Sequence, residues 1–163
     1  MQIGFIGIGK MGAPMALRLA GAGHDVRIHD ASQAAMAPLG DADGITIAPT
    51  LADAATGSEI VVTMLPDGKI VRGVAEQLAT MMPDNAILVD MSTSYPLETT
   101  DLRDALPDRL GLVDAPVSGG VWRAELGTLT IIAGGETNML DRVEPALSAM
   151  GDVVRCGGLD ADR

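Results

Sequence analysis

Three glycines constrain this chain more than any other feature. Gly7, Gly9 and Gly12 fall in the run Gly7-Ile8-Gly9-Lys10-Met11-Gly12, directly after the apolar segment Gln2–Ile6. The stretch that follows, Met11 to Ala22, repeats apolar residues at three- and four-residue steps through Met11, Met15, Leu19 and Ala22. Strand, tight glycine turn and helix in that order open a β-α-β unit, the setting in which this glycine spacing becomes informative. Gly7 permits the turn, Gly9 lets a phosphate approach the backbone, and Gly12 lets helix and strand pack closely. Amides at the helix N-terminus then face negative charge. The reading is a dinucleotide-binding turn in which Gly7, Ile8, Gly9, Lys10, Met11 and Gly12 hold the pyrophosphate. A merely structural glycine turn is the competing explanation.

Asp30 favours the first. It stands eighteen positions beyond Gly12 at the end of the next apolar run, close to the ~20-residue interval at which a carboxylate meets ribose hydroxyls. A carboxylate there repels a 2′-phosphate, and Ala31 and Ser32 follow rather than an arginine that would reverse the sign. The cofactor expected is therefore NAD rather than NADP. A solvated turn residue or helix N-cap is the plainer reading of Asp30.

The rest of the chain continues the alternation. Strands are predicted at Gln2–Ile6, Asp25–His29, Gly44–Ala48, Glu59–Met64, Ala86–Asp90, Gly111–Asp114, Thr128–Ala133 and Asp152–Arg155, with helices between most of them. These include Met11–Ala22, ended by left-handed backbone at Gly21 and Gly23, then Lys69–Thr80, and one from Pro96 to about Leu106. The fold class expected is α/β, a Rossmann-type doubly wound, mostly parallel sheet with helices on both faces. At 163 residues, without linker or repeat, the chain reads as one dinucleotide-binding domain, 1–163. Its core must be built from Ala, Val, Ile, Leu and ten Met, because only one Phe, one Tyr and one Trp occur.

Charge and composition exclude several classes. A net charge of −11 without a basic run argues against nucleic acid. One cysteine, Cys156, rules out an internal disulfide, and with His24 and His29 the only histidines no metal site is expected. A reducing, cytoplasmic setting is expected. Met1 to Ala22 is apolar enough to imitate a signal peptide, but Lys10 lies in mid-segment and no uninterrupted apolar run of membrane length follows, so no membrane association is expected.

Four ordered blocks carry a resemblance. Gly4-Phe5-Ile6-Gly7-Ile8-Gly9-Lys10-Met11-Gly12-Ala13-Pro14-Met15-Ala16, Thr63-Met64-Leu65-Pro66, Asp90-Met91-Ser92-Thr93, and Asp114-Ala115-Pro116-Val117-Ser118-Gly119-Gly120 with Ala124 and Gly127-Thr128-Leu129 together resemble the β-hydroxyacid dehydrogenases. That group contains 3-hydroxyisobutyrate dehydrogenase and tartronate semialdehyde reductase. The resemblance covers nearly the whole chain. It implies that Met64, Leu65 and Pro66 cover the adenosine side of NAD, that Thr93 lies by the nicotinamide, and that Ser92, Ser118, Gly119 and Gly120 meet the substrate, a small anionic hydroxyacid. Ser118 offers a hydroxyl and the two glycines offer unobstructed amides for its carboxylate. A plain turn at Ser118-Gly119-Gly120 and a helix cap at Ser92-Thr93 are the blander alternatives.

Arg123 departs from the commoner family pattern, where a glycine often stands. With Trp122 beside it, Arg123 is expected either to grip a second anionic group on the substrate or to pair at the surface with Glu125.

The resemblance also implies a catalytic lysine just after the dinucleotide domain, on a long helix leading to an all-helical second domain that supplies most of a dimer contact. Only Lys10 and Lys69 occur here, both on the cofactor side. No catalytic residue is therefore assigned within the chain; the lysine is expected beyond Arg163, the parent protein as a homo-oligomer, and residues 1–163 alone as nearly inactive. The alternatives are a non-catalytic NAD-binding or sensing module, or an enzyme like 6-phosphogluconate dehydrogenase or the imine reductases.

Overall fold

The structure is a computed structural model and describes residues 1–92 and 102–158. Six strands form one parallel sheet: β1 (Gln2–Ile6), β2 (Asp25–His29), β3 (Ile45–Ile47), β4 (Ile60–Thr63), β5 (Ile87–Asp90) and β6 (Gly111–Asp114), in the order β3-β2-β1-β4-β5-β6. The chain moves outward from β1 through β2 to β3, then crosses back to β4 beside β1. That reversal leaves a crevice at the carboxyl ends of β1 and β4, the place where open α/β sheets bind ligands.

Hydrophobic patterning explains why helices cover both faces. Every residue of β4, β5 and β6 is buried, as strands sandwiched between two helical layers require. Alternate residues feed opposite cores. Ile60 and Val62 join Ile3, Phe5, Met15 and Leu19 on one side, and Val61 joins Ile6, Val71, Leu78 and Leu88 on the other. The helices are α1 (Gly12–Gly21), α2 (Gln33–Met36), α3 (Leu51–Ala55), α4 (Gly68–Leu78), α5 (Gly120–Leu126) and α6 (Thr137–Met150). Residues 102–105 are also helical; the rest of the helix expected from Pro96 lies mostly outside the described residues.

Two expectations need correction. The first helix buries Gly12, Met15, Ala16 and Leu19 but leaves Ala22 exposed. It ends through Gly23, at φ +96°, while Gly21 stays helical. The last strands also do not extend the main sheet. β7 (Val117–Ser118), β8 (Leu129–Ala133) and β9 (Gly151–Arg155) form a separate three-stranded sheet, antiparallel between β7 and β8 and parallel between β8 and β9. Asp114 and Gly134 exchange backbone hydrogen bonds of 2.9 and 2.7 Å, turning the chain away from the parallel ladder at the point where Pro116 lacks an N–H to continue it. β7, two residues long, carries too little pattern to be seen in sequence.

Candidate nucleotide-binding site

The glycine turn is shaped by close backbone contact. Gly7 has φ +105°, and a Cβ on it would lie 2.2 Å from the Met64 carbonyl oxygen, so β1 and the loop after β4 meet only because residue 7 has no side chain. A Cβ on Gly12 would come within 1.8 Å of the Gly7 carbonyl oxygen, which fixes how tightly α1 closes on the turn. At Gly9 a Cβ would meet nothing within 4 Å. The space over that backbone is open, and the amides of Gly9, Lys10 and Met11 donate to no protein group among the described residues. Free amides beside an opening at a helix N-terminus suit a phosphate.

A cleft of about 310 Å³ lies over this turn, bounded by Gly7, Gly9, Lys10, Met11, Gly12, Asp30, Met64, Leu65 and Pro66. Every one of these was selected from the sequence. Ile8 differs: its side chain is buried in the core, and its amide donates to Asp30 Oδ2 at 2.7 Å. The Ser32 amide donates to Asp30 Oδ1 at 2.8 Å. Asp30 thus ties the end of β2 to the glycine turn while still bordering the cleft. Of its two sequence readings, the plain turn residue describes part of its work and does not exclude the other.

Beyond Asp30 the cleft leads into a second hollow of about 390 Å³, with which it shares Gly7, Asp30, Leu65 and Pro66. Its other walls are Ile6, His29, Ala31, Leu51, Ile70 and Val74. Sequence reasoning missed these. They lie at the carboxyl ends of β1 and β2 and on α3 and α4, so the strand order is the signal that gathers them. A larger hollow, about 560 Å³ between Pro14, Leu17, Arg18, Glu125 and Ala149, shares no residue with the glycine cleft, and its Arg18 is already bound to the Glu125 carbonyl oxygen. Size alone does not recommend it over the glycine cleft.

Buried polar groups pin the wall shared by the two hollows. Thr63 Oγ1 donates to Asp90 Oδ1 at 3.0 Å, and the Ser92 amide donates to the same oxygen at 3.1 Å. Ser92 Oγ accepts from the Leu65 amide at 2.8 Å and donates to the Thr63 carbonyl oxygen at 3.4 Å. Thr63, Asp90 and Ser92 are all buried. Ser92, expected at the substrate, therefore has no exposed surface; its hydroxyl holds Leu65 and Pro66 in place instead. Thr93 lies outside the described residues.

The Ser118 segment forms a different surface and does not line the glycine cleft. Ser118 is exposed beside Thr130 across the β7–β8 pair. Gly119 and Gly120 take φ of +131° and +72° to swing the chain into α5. Arg123 lays its stem across Gly119, where a Cβ would sit 2.6 Å from Arg123 Cδ. Arg123 is exposed and makes no ion pair among the described residues, so the pairing with Glu125 is not formed. Glu125 instead offers its carbonyl oxygen to Arg18, whose Nε donates at 2.8 Å. Trp122 is 69% exposed, leaving this face open. Among the described residues no group of three or more candidate ligands could hold a metal ion, and no helix is long and apolar enough to cross a membrane.

Strand order, glycine turn and the acid at the end of β2 define a Rossmann-type dinucleotide-binding domain. Residues 2–158 match the family model described as the NAD binding domain of 6-phosphogluconate dehydrogenase, and the chain belongs to that family. Over 96% of its length it is 39% identical to the 3-sulfolactaldehyde reductase of Escherichia coli strain K12. Over 98% it is 37% identical to a probable 3-hydroxyisobutyrate dehydrogenase of Mycobacterium bovis. The chain spans about half of these curated relatives, 54% of each. A solved structure of Mycobacterium tuberculosis 3-hydroxyisobutyrate dehydrogenase with L-serine superposes on 98% of the chain with TM-score 0.93 at 32% identity, using 55% of that structure.

Proposed function

We propose that this chain is the NAD-binding half of an oxidoreductase that transfers a hydride between NAD and a small 3-hydroxyacid, of the 3-hydroxyisobutyrate type, or its semialdehyde. One observation carries the reading: the glycine turn and Asp30 face one cleft, joined by the 2.7 Å bond from the Ile8 amide. The open backbone at Gly9 and the free neighbouring amides fit a pyrophosphate, and the Asp30 carboxylate fits ribose hydroxyls. NAD, when bound, supplies the hydride-accepting ring.

The chain's own residues bind and orient. Gly7, Gly9, Lys10, Met11 and Gly12 hold the diphosphate, Met64, Leu65 and Pro66 cover the adenosine side, and Thr93 lies beside the nicotinamide. Ser92 positions the Leu65–Pro66 wall from behind. Ser118, Gly119 and Gly120 receive the substrate carboxylate, and Arg123, exposed and without an ion pair among the described residues, grips a second anionic group. The hydroxyl proton goes to a lysine outside residues 1–163, since Lys10 belongs to the phosphate turn and Lys69 to the start of α4. The chain spans 54% of the relatives it matches, in keeping with a parent protein that has a second domain; that this domain is all-helical and the parent homo-oligomeric follows from the family resemblance alone. Cys156, free and half-buried, fits a reducing compartment, and the cytoplasm is the proposed location.

The test is calorimetric titration of the chain with NAD and NADP, followed by an assay of NADH formation from 3-hydroxyisobutyrate, glycerate, threonate and 4-hydroxybutyrate. NAD should bind at least about tenfold more tightly than NADP, with negligible turnover by residues 1–163 alone. Equal binding would refute the role of Asp30, and appreciable turnover would refute the placement of the base.

A further inference from the structure

The hollow beyond Asp30 holds a polar side chain that the reading above leaves without a task. His29 is the last residue of β2, and its carbonyl oxygen accepts the Gly7 amide at 2.9 Å. Its ring Nδ1 lies 2.9 Å from the carbonyl oxygen of Ala48. A carbonyl oxygen can only accept, so Nδ1 carries a proton, and in the neutral form of the ring Nε2 is then a lone-pair acceptor. Nε2 has no hydrogen-bond partner among the described residues.

The surroundings say what this acceptor is for. His29 borders a slot whose other described side-chain walls include Leu51, Leu65, Pro66, Ile70 and Val74, all apolar. Asp30, the other polar side chain among the described lining residues, already accepts from the Ile8 and Ser32 amides. A flat aromatic base suits apolar walls of this kind, and the few polar groups of such a site set orientation and selectivity. An acceptor with a fixed tautomer demands a donor on the ligand. Against another acceptor it would meet lone pair with lone pair, and a buried polar group left unpaired is the strong form of discrimination.

Resting on the NAD reading above, we propose that His29 is a specificity-determining residue that accepts a hydrogen bond at Nε2 from the 6-amino group of adenine. The slot thereby selects 6-amino over 6-oxo purines, and the Ala48 carbonyl oxygen is the group that sets the selecting tautomer.

The experiment is titration of the chain with NAD and with nicotinamide hypoxanthine dinucleotide, in which a carbonyl oxygen replaces the 6-amino group, by calorimetry at mildly alkaline pH. The wild-type chain should prefer NAD by roughly tenfold, the scale of one unsatisfied hydrogen-bond partner. His29→Phe should bind both dinucleotides alike. His29→Gln, whose amide can donate to Ala48 and still accept from the ligand, should keep the preference. Equal binding of the two dinucleotides by the wild-type chain overturns the role of His29 while leaving the NAD site standing, and needs no variant to fold. Survival of the preference in His29→Phe overturns it equally. Loss of the preference in His29→Gln as well as in His29→Phe would trace the effect to the shape of the slot and overturn the acceptor role. Binding of neither dinucleotide by the wild-type chain overturns the cofactor reading itself.

Discussion

Replacing Asp30 by asparagine separates two jobs that one carboxylate performs. Its oxygens accept from the Ile8 amide at 2.7 Å and the Ser32 amide at 2.8 Å, and asparagine of the same shape has one acceptor for these two donors. The other amide then faces an NH₂ group. Losing one hydrogen bond to a charged partner costs about 1.5–3 kcal/mol, which in a domain of this size lowers Tm by about 3–12 °C. The second job is selectivity. Two unit charges about 4 Å apart repel by roughly 4 kcal/mol at an effective dielectric of 20. Asp30 is only partly buried, so about a third of that is a sounder figure, equivalent to about tenfold in affinity. The Asp30→Asn chain should therefore melt earlier and show a ratio of NADP to NAD dissociation constants reduced at least about tenfold. Calorimetric titration with both dinucleotides at one low ionic strength reads that ratio, since salt screens the repulsion. A distorted glycine turn weakens both dinucleotides together and cancels from it. If Tm falls while the ratio stays fixed, the carboxylate is a structural tie and does not face the 2′ position.

Ser92→Ala leaves the Leu65 amide without its 2.8 Å acceptor, which should cost about 1–3 kcal/mol. Differential scanning calorimetry should show a Tm lower by about 2–12 °C and weaker NAD binding with the NADP ratio unchanged; an unaltered Tm would show that the Leu65–Pro66 loop is held by other contacts. Arg123→Ala, assayed in the full-length parent, should lose about tenfold or more in kcat/KM on dianionic substrates and little on monoanionic ones, and equal losses on both would reject the second-anion role. His24 gives a pH dependence. Partial burial, and then the positive N-terminus with its nitrogen 3.1 Å from Nδ1, lower its pKa from the ordinary value of 6.5. The unfolded chain then binds the proton more readily, so the stability that neutral His24 contributes is present above 6.5 and is lost as pH falls through the lower, folded-state pKa. Thermal melts across this window should show Tm falling with pH, with a shallower fall in His24→Gln; parallel profiles would assign the slope to other groups.

What the sequence determined is what local geometry enforces. A turn between strand and helix demands glycine at residues 7 and 12 because any Cβ there strikes backbone, and that demand is written in six consecutive residues. Strands β1, β2 and β6 match their sequence ranges residue for residue, since continuous or alternating apolar runs between turn residues leave the chain few other ways to bury them. Of the nine cleft residues, the five of the glycine turn were legible from that local geometry, Asp30 by its spacing from Gly12, and Met64, Leu65 and Pro66 only through the family resemblance. The tertiary structure decided what depends on which strands become neighbours. Parallel pairing of β1 with β4 and of β4 with β5 brings Leu65 to Ser92, moving Ser92 from the substrate to the wall behind the cofactor cleft. Pairing of β2 with β3 brings Ala48 to His29 and so fixes a tautomer that no local pattern encodes. The departure of β7, β8 and β9 from the main sheet turns on two hydrogen bonds between Asp114 and Gly134, residues twenty positions apart. Sequence periodicity reports which side of a strand is apolar; it does not name the partner across the ladder, because the main-chain groups that pair two strands are carried by every residue except proline, which lacks the N–H.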